Sequence, residues 1–313
     1  MFGNGSDMTN SQSSPAAAEE SKTQAIWAYH WPRFLLISAA AVCFAIFWGM
    51  GALLRIPPER GYQPMLLMQQ GWMLSYFIIA ITLGVCVVVG SFIAGSVRRD
   101  AGFFAACLGL MALSVRCGPA HFAYRQAESD GVFMALIFES VLWFVLLGGA
   151  WALQQWLHQR KFTVADADRD QMEETEHPLA IRLLATGTHI AAMCLVVLLL
   201  TKTDSKAQAL AAVGLGGMLA SMLSHSLFGV RLSVWMWAGA LGTAVIGYLM
   251  ASSPVGDAWR IGQINIPLAR AIPLDYASAA PAGAVLGFWI SRKWHAARQR
   301  EQAEKKGKVI TVG

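Results

Sequence analysis

Residues 131–201 read GVFMALIFESVLWFVLLGGAWALQQWLHQRKFTVADADRDQMEETEHPLAIRLLATGTHIAAMCLVVLLLT. Two apolar runs, 131–153 and 179–201, flank a polar segment, 154–178. A helix needs about 20 apolar residues to cross a hydrocarbon layer of roughly 30 Å, so each run is long enough to span. Each also carries an ionisable residue well inside its length, Glu139 in FMALIFESVLWF and His189 in LATGTHIAAMC. Such residues are expensive in lipid and mark either a functional site or a structural pair. This stretch therefore decides the fold class and gives the first place to look for chemistry.

The rest of the chain agrees with it. Of 313 residues 56% are apolar and 14% charged, with a mean hydropathy of +0.47, which excludes an ordinary soluble domain. Further apolar runs at 34–54, 72–97, 101–120, 207–229, 232–251 and 277–291 bring the expected number of spans to about eight. Helices satisfy their own backbone groups in lipid, so the fold is expected to be an all-α polytopic bundle over residues 26–291. Residues 1–25 are too polar to offset ordering entropy and are expected to be disordered. The run after Arg33 is too long and too late for a cleaved leader and reads as a retained first helix. Prolines 57 and 58 end that helix, and Pro254, Pro267 and Pro273 break the stretch 252–276 into a non-helical connection. The five cysteines, Cys43, Cys86, Cys107, Cys117 and Cys194, show no paired spacing and read as small core residues.

Lys and Arg favour the cytoplasmic side of a spanning bundle. With eight spans and an inside N-terminus, sixteen of the 24 basic residues fall inside, among them Arg98, Arg99, Arg182, Arg231 and seven in the tail 292–313. Both termini and the 154–178 loop are thus expected in the cytoplasm, and the membrane is expected to be a plasma or inner membrane. The loop carries Asp166, Asp168, Asp170, Glu173, Glu174 and Glu176 against three basic residues, so it complements the basic tail. The tail is expected to meet anionic lipid headgroups or this acidic loop. The loop is not a calcium loop, since Gln171 and His177 stand where a glycine and a bidentate glutamate are needed. Small residues four apart at Gly90, Ala94, Gly283 and Gly287 suit close helix approach, so a homo-oligomer or a membrane-protein partner is expected there. Nothing points to nucleic acid.

Glu139 lies about 12 Å below one boundary and His189 about 15 Å above the other, at 1.5 Å of rise per residue. The agreement in depth suggests an intramembrane carboxylate–imidazole pair, with Arg116 as the competing partner for Glu139. His225 sits roughly 8 Å from the depth of His189, too far for the two to share a haem, and no cofactor is expected. A second candidate site lies in the outer segments, with His121, Arg125, Arg260, Arg270 and Asp275 in long stretches that fold back as a lid or lie along the interface.

No HExxH, GxSxG or GxGD motif is present. The sequence favours a non-enzymatic structural, assembly or regulatory membrane component. A transporter or channel for a small solute using the Glu139/His189 pair is the alternative, and a membrane-embedded enzyme is the weakest reading.

Overall fold

The computed structural model describes residues 15–54, 67, 71–126, 131–160, 177–253 and 264–310. Among these the order is α1 Pro15–Leu53, α2 Trp72–Ala94, α3 Ala101–Arg116, α4 His121–Gln126, α5 Gly131–Gln159, α6 Leu179–Leu200, α7 Lys206–Phe228, α8 Val234–Ala251, a 3-10 helix Pro267–Arg270, and α9 Pro273–Ile310. No strand occurs among the described residues. Six helices, α1 over His30–Gly51 together with α2, α5, α6, α7 and α8, are long and apolar enough to cross a membrane. Phe34, Ile37, Met73, Phe77, Leu184 and Leu195 are all more than half exposed on their outer faces. Rows of this kind have no place in water and suit lipid. The chain is a multi-pass integral membrane protein.

The count of eight is not reached by length and hydropathy, because α3 and α9 are built differently. Eleven of the sixteen residues of α3 are buried, and Ala, Gly and Cys dominate them. From Ile272, just before α9, to Ala282 every residue is buried, four of the eleven being alanine. These two helices contact each other and form the middle of the bundle, with α1 and α2 around α3 and α7 along α9. A central helix meets protein on all sides, so it needs smallness rather than lipophilicity.

Glycine sets the spacing between α7 and α9. A Cβ on Gly283 would strike the Gly214 carbonyl, one on Gly287 the Met218 carbonyl, and one on Gly217 the Ala280 carbonyl. The two backbones are therefore in direct contact. The GxxxG pair expected to serve a dimer is occupied by α7 of the same chain. On the other side, Gly102 of α3 is hemmed in by Ser91 Oγ, Gln154 Oε1 and Val87 O. There Ser91 Oγ donates to Gln154 Oε1 at 2.8 Å and Gln154 Nε2 donates to the Arg99 carbonyl at 2.7 Å. In a dry interior such a closed polar group is stable because every member is paired.

Several expected boundaries move. α1 begins at Pro15, inside the segment expected to be disordered, because PAAAEESKTQA is rich in strong helix formers and proline suits a first helical position. α3 stops at Arg116 rather than 120, where Gly118 turns the chain at φ 72°. α5 runs to Gln159, and α9 starts at Pro273 and continues unbroken through the tail to Ile310. The acidic residues 166–176 lie outside the described residues, and with them the loop–tail contact.

Replacing Gly283 by Ala should drive α7 and α9 apart and destabilise the protein by roughly 1–3 kcal/mol, the usual cost of overpacking. Thermal unfolding in detergent should show a lowered midpoint, while alanine at Gly148, which has nothing within 4 Å of its would-be Cβ, should change it little.

Candidate functional site

Polar groups gather at the two ends of the bundle. One end holds the C-terminus of α3 and the N-termini of α7 and α9, and here Asp275 is fully buried. It is the third residue of α9, and its Oδ2 accepts the Ile272 backbone N–H at 3.0 Å, closing the first turn of the helix. Its Oδ1 accepts Lys206 Nζ at 2.5 Å and the Ser114 hydroxyl. One carboxylate thus ties α3, α7 and α9 together with both oxygens used.

Above it, the 3-10 helix lies buried where non-helical backbone is tolerated only if protein groups satisfy it. Three phenols do this. Tyr124 donates to the Ala269 carbonyl at 3.0 Å, Tyr276 to Leu268 at 2.9 Å and Tyr248 to Ala271 at 2.8 Å. Burial pushes the Tyr124 phenol above its ordinary value, so it stays a donor. Arg270 donates from Nε to the Ile264 carbonyl at 3.0 Å and from Nη1 to Thr201 O at 2.9 Å, with Asp204 at 3.2 Å. Gly247 of α8 leaves the room that Leu268 fills. Of the outer residues singled out in the sequence, Arg270 and Asp275 therefore fold back into a packed cap. They meet different partners, Asp204 and Lys206. The His121 ring lies tilted beside Phe122 with centroids 4.4 Å apart, Arg125 is exposed, and Arg260 lies outside the described residues.

The intramembrane trio does not assemble. The Glu139 carboxylate is 1% exposed and accepts Trp143 Nε1 at 3.2 Å and the Leu67 backbone N–H at 3.4 Å. Arg116 turns the other way, donating to the Trp48 carbonyl at 2.7 Å with its guanidinium 5.2 Å from the Trp48 ring centroid. His189 is 1% exposed, and neither ring nitrogen has a hydrogen-bond partner. Equal depth along two helices says nothing about which faces meet, and these faces do not. The Trp143 contact was readable one turn on from Glu139.

His189 lines a crevice instead. Its walls are Arg182, Ala185, Thr186 and His189 of α6, Ser224 of α7, Val230, Arg231 and Ser233 of the α7–α8 connection, and Trp235 and Met236 of α8. The crevice holds about 260 Å³, including its open mouth. His189 is the eleventh of the 22 residues of α6, about 15 Å along the axis from Leu179. It packs against Gly239, where a Cβ would come within 2.8 Å of the ring. Thr186 and Ser224 already donate to the carbonyls of Arg182 and Ala185, at 2.9 and 3.1 Å. Positions 182, 185, 186 and 189 share one face of α6, a spacing visible in the sequence. By contrast His225 of α7 is engaged, its Nδ1 2.8 Å from Ser291 Oγ and its ring beside His295.

No family model matches the chain, and neither a curated protein nor a solved structure shows significant similarity to it. The geometry of these two ends is what the functional reading rests on.

Asp275→Asn should cost roughly 3–5 kcal/mol, because the Lys206 charge would be left buried without its partner. Adding Lys206→Met should recover much of that loss. Unfolding of the single and double variants in detergent, followed by circular dichroism, measures both; equal loss in the two would assign the effect to the helix start rather than to the ion pair.

Proposed function

We propose that the protein is a non-enzymatic membrane component that recognises a small polar ligand in the crevice between α6, α7 and α8. One observation carries this reading: a fully buried histidine with no partner at either nitrogen, facing a crevice between three helices. An unsatisfied buried polar group costs roughly 1–3 kcal/mol, and a bound molecule removes that cost. The Asp275 cluster, in contrast, has its acceptors filled and its parts locked, as a structural tie would. Binding is favoured over catalysis because the crevice hydroxyls of Thr186 and Ser224 are committed to backbone carbonyls.

In this reading α3 and the first half of α9 cross the membrane inside the ring of six apolar helices, which gives eight crossings. On that count the excess of basic residues supports a topology with both termini and the mouth of the crevice on the cytoplasmic side of a plasma or inner membrane. A regulatory role follows naturally, since a ligand there would touch three helices at once. Transport of a small solute is the second reading. It draws support from the depth of His189, halfway along its helix, rather than from a pair with Glu139.

A reporter cysteine tests the binding. Thr186→Cys in a Cys194→Ser background places an accessible thiol on the crevice wall, the other four cysteines being buried. Its alkylation by a small anionic thiol reagent should slow at least threefold in the presence of either the lipid or the water-soluble extract of the host cells. That protection should vanish in His189→Ala. Absence of protection by any fraction would sink the proposal, and flux of the protecting fraction across reconstituted liposomes would decide for transport.

A further inference from the structure

We propose that Cys43 of α1 and Cys86 of α2 form a redox pair that closes to a disulfide by passing two electrons and two protons to a lipid-soluble quinone, an inference independent of the crevice. The contacts between the two residues are reciprocal. Cys43 Sγ donates to the Cys86 carbonyl at 3.4 Å and Cys86 Sγ to the Cys43 carbonyl at 4.0 Å. The two thiols are also hydrogen-bonded to each other. Side chains that cross in this way point at one another, which is the arrangement a disulfide requires.

The surroundings hold them there. Both cysteines are fully buried, and α1, α2 and α3 pack against one another in pairs. A Cβ on Gly109 of α3 would come within 2.8 Å of the Cys43 carbonyl, so α3 presses on the α1 backbone at that residue. Cys107 of α3 is a further thiol near Cys43 and the competitor a test must exclude.

Location selects the oxidant. Cys43 lies inside the span His30–Gly51 and Cys86 inside Trp72–Ala94, each about 12 Å along the axis from the nearer end of its span. Val42, Phe44 and Val85, chain neighbours of the pair, are exposed on the outer faces of their helices. The thiols therefore sit one residue behind hydrocarbon and away from either aqueous side. Exchange with a soluble disulfide proceeds through a thiolate, and an apolar interior disfavours a free charge. A quinone dissolved in the bilayer avoids that charge. Two S–H bonds break, one S–S bond forms, and the quinone takes both protons and both electrons to become a hydroquinone. No net charge is left in the lipid. The bond joins residues 43 apart in the chain and constrains the unfolded state, so oxidation locks α2 to α1.

The purified full chain, reduced and reconstituted in liposomes, is treated either with decylubiquinone or with oxidised glutathione at the same concentration. The decylubiquinone ring is fully substituted and accepts electrons without adding a thiol. Intact mass, non-reducing peptide maps and hydroquinone formation are followed. Decylubiquinone is expected to remove about 2 Da, the two thiol hydrogens, with one hydroquinone formed per chain and Cys43 joined to Cys86 in the map. Oxidised glutathione is expected to act at least tenfold more slowly. The oxidised protein should unfold at a higher temperature than the reduced one, and a reductant should restore the original midpoint. Cys86→Ser, close in size, should abolish both the mass loss and the shift. No mass loss with the quinone, a bridge that includes Cys107, or a mass loss that persists in Cys86→Ser would overturn the pair. Equal rates with oxidised glutathione would overturn its assignment to a lipid-soluble oxidant.

Discussion

Bare glycine at positions 214, 217, 283 and 287 brings the backbones of α7 and α9 into contact, and much of the architecture follows from that approach. In lipid there is no hydrophobic drive between helices, so association depends on packing and on polar groups that find partners. Close backbones supply the first. They also set α9 deep enough for Asp275 to meet Lys206 and Ser114, and for Tyr276 to reach the carbonyl of Leu268. Were α9 displaced outward by a methyl group, both hydrogen-bonded ties would lengthen together.

The same constraint explains the division of labour among the helices. Six carry long apolar rows and face outward, whereas α3 and the start of α9 are rich in alanine and glycine and face protein. This is also why the sequence reads well in some places and poorly in others. Hydropathy picks out the apolar runs that α2, α6, α7 and α8 occupy, because lipid-facing helices must be apolar along their length, and it stops short of the polar end of α5 at Gln159. It could not distinguish a small-residue span from a small-residue core helix, nor see that GAVLG in α9 faces α7 and not a second chain. The helical continuation of α9 past Arg292 suits a highly charged stretch with few helix breakers, RKWHAARQREQAEKKGK.

Side-chain pairing was less legible than span position, for a geometric reason. Depth follows from counting residues at a fixed rise, but the face a residue presents depends on how the helix is rotated against its neighbours. Glu139 and His189 match in depth, yet Glu139 turns to Trp143 and His189 to the gap beside Gly239. Arg116 follows its long side chain back to Trp48 on α1. The outer cap was foreshadowed by the Ile, Leu and Trp content of 252–276, but the three tyrosines that hold it come from α4, α8 and α9 and share no local signature.

The contrast between the two ends of the bundle carries the functional argument. At the Asp275 end, the carboxylate has both oxygens engaged, and its bonds to Ser114 and Lys206, with that of Tyr124 to Ala269, join elements distant in the chain, which is what a rigid support requires. Toward the other end of the bundle, a crevice runs in to a buried imidazole halfway along α6, which remains unpaired while the start of α8 lines the same space. A folded chain tolerates an unsatisfied buried group when something else compensates, and such groups cluster where function needs them. Water is one compensator. A small polar ligand is another, and one that reached the imidazole through the crevice would meet α7 and α8 as well. The locked end and the open end are joined by α6, α7 and α8, so an occupant at the open end is held against the same helices that the locked end keeps in place.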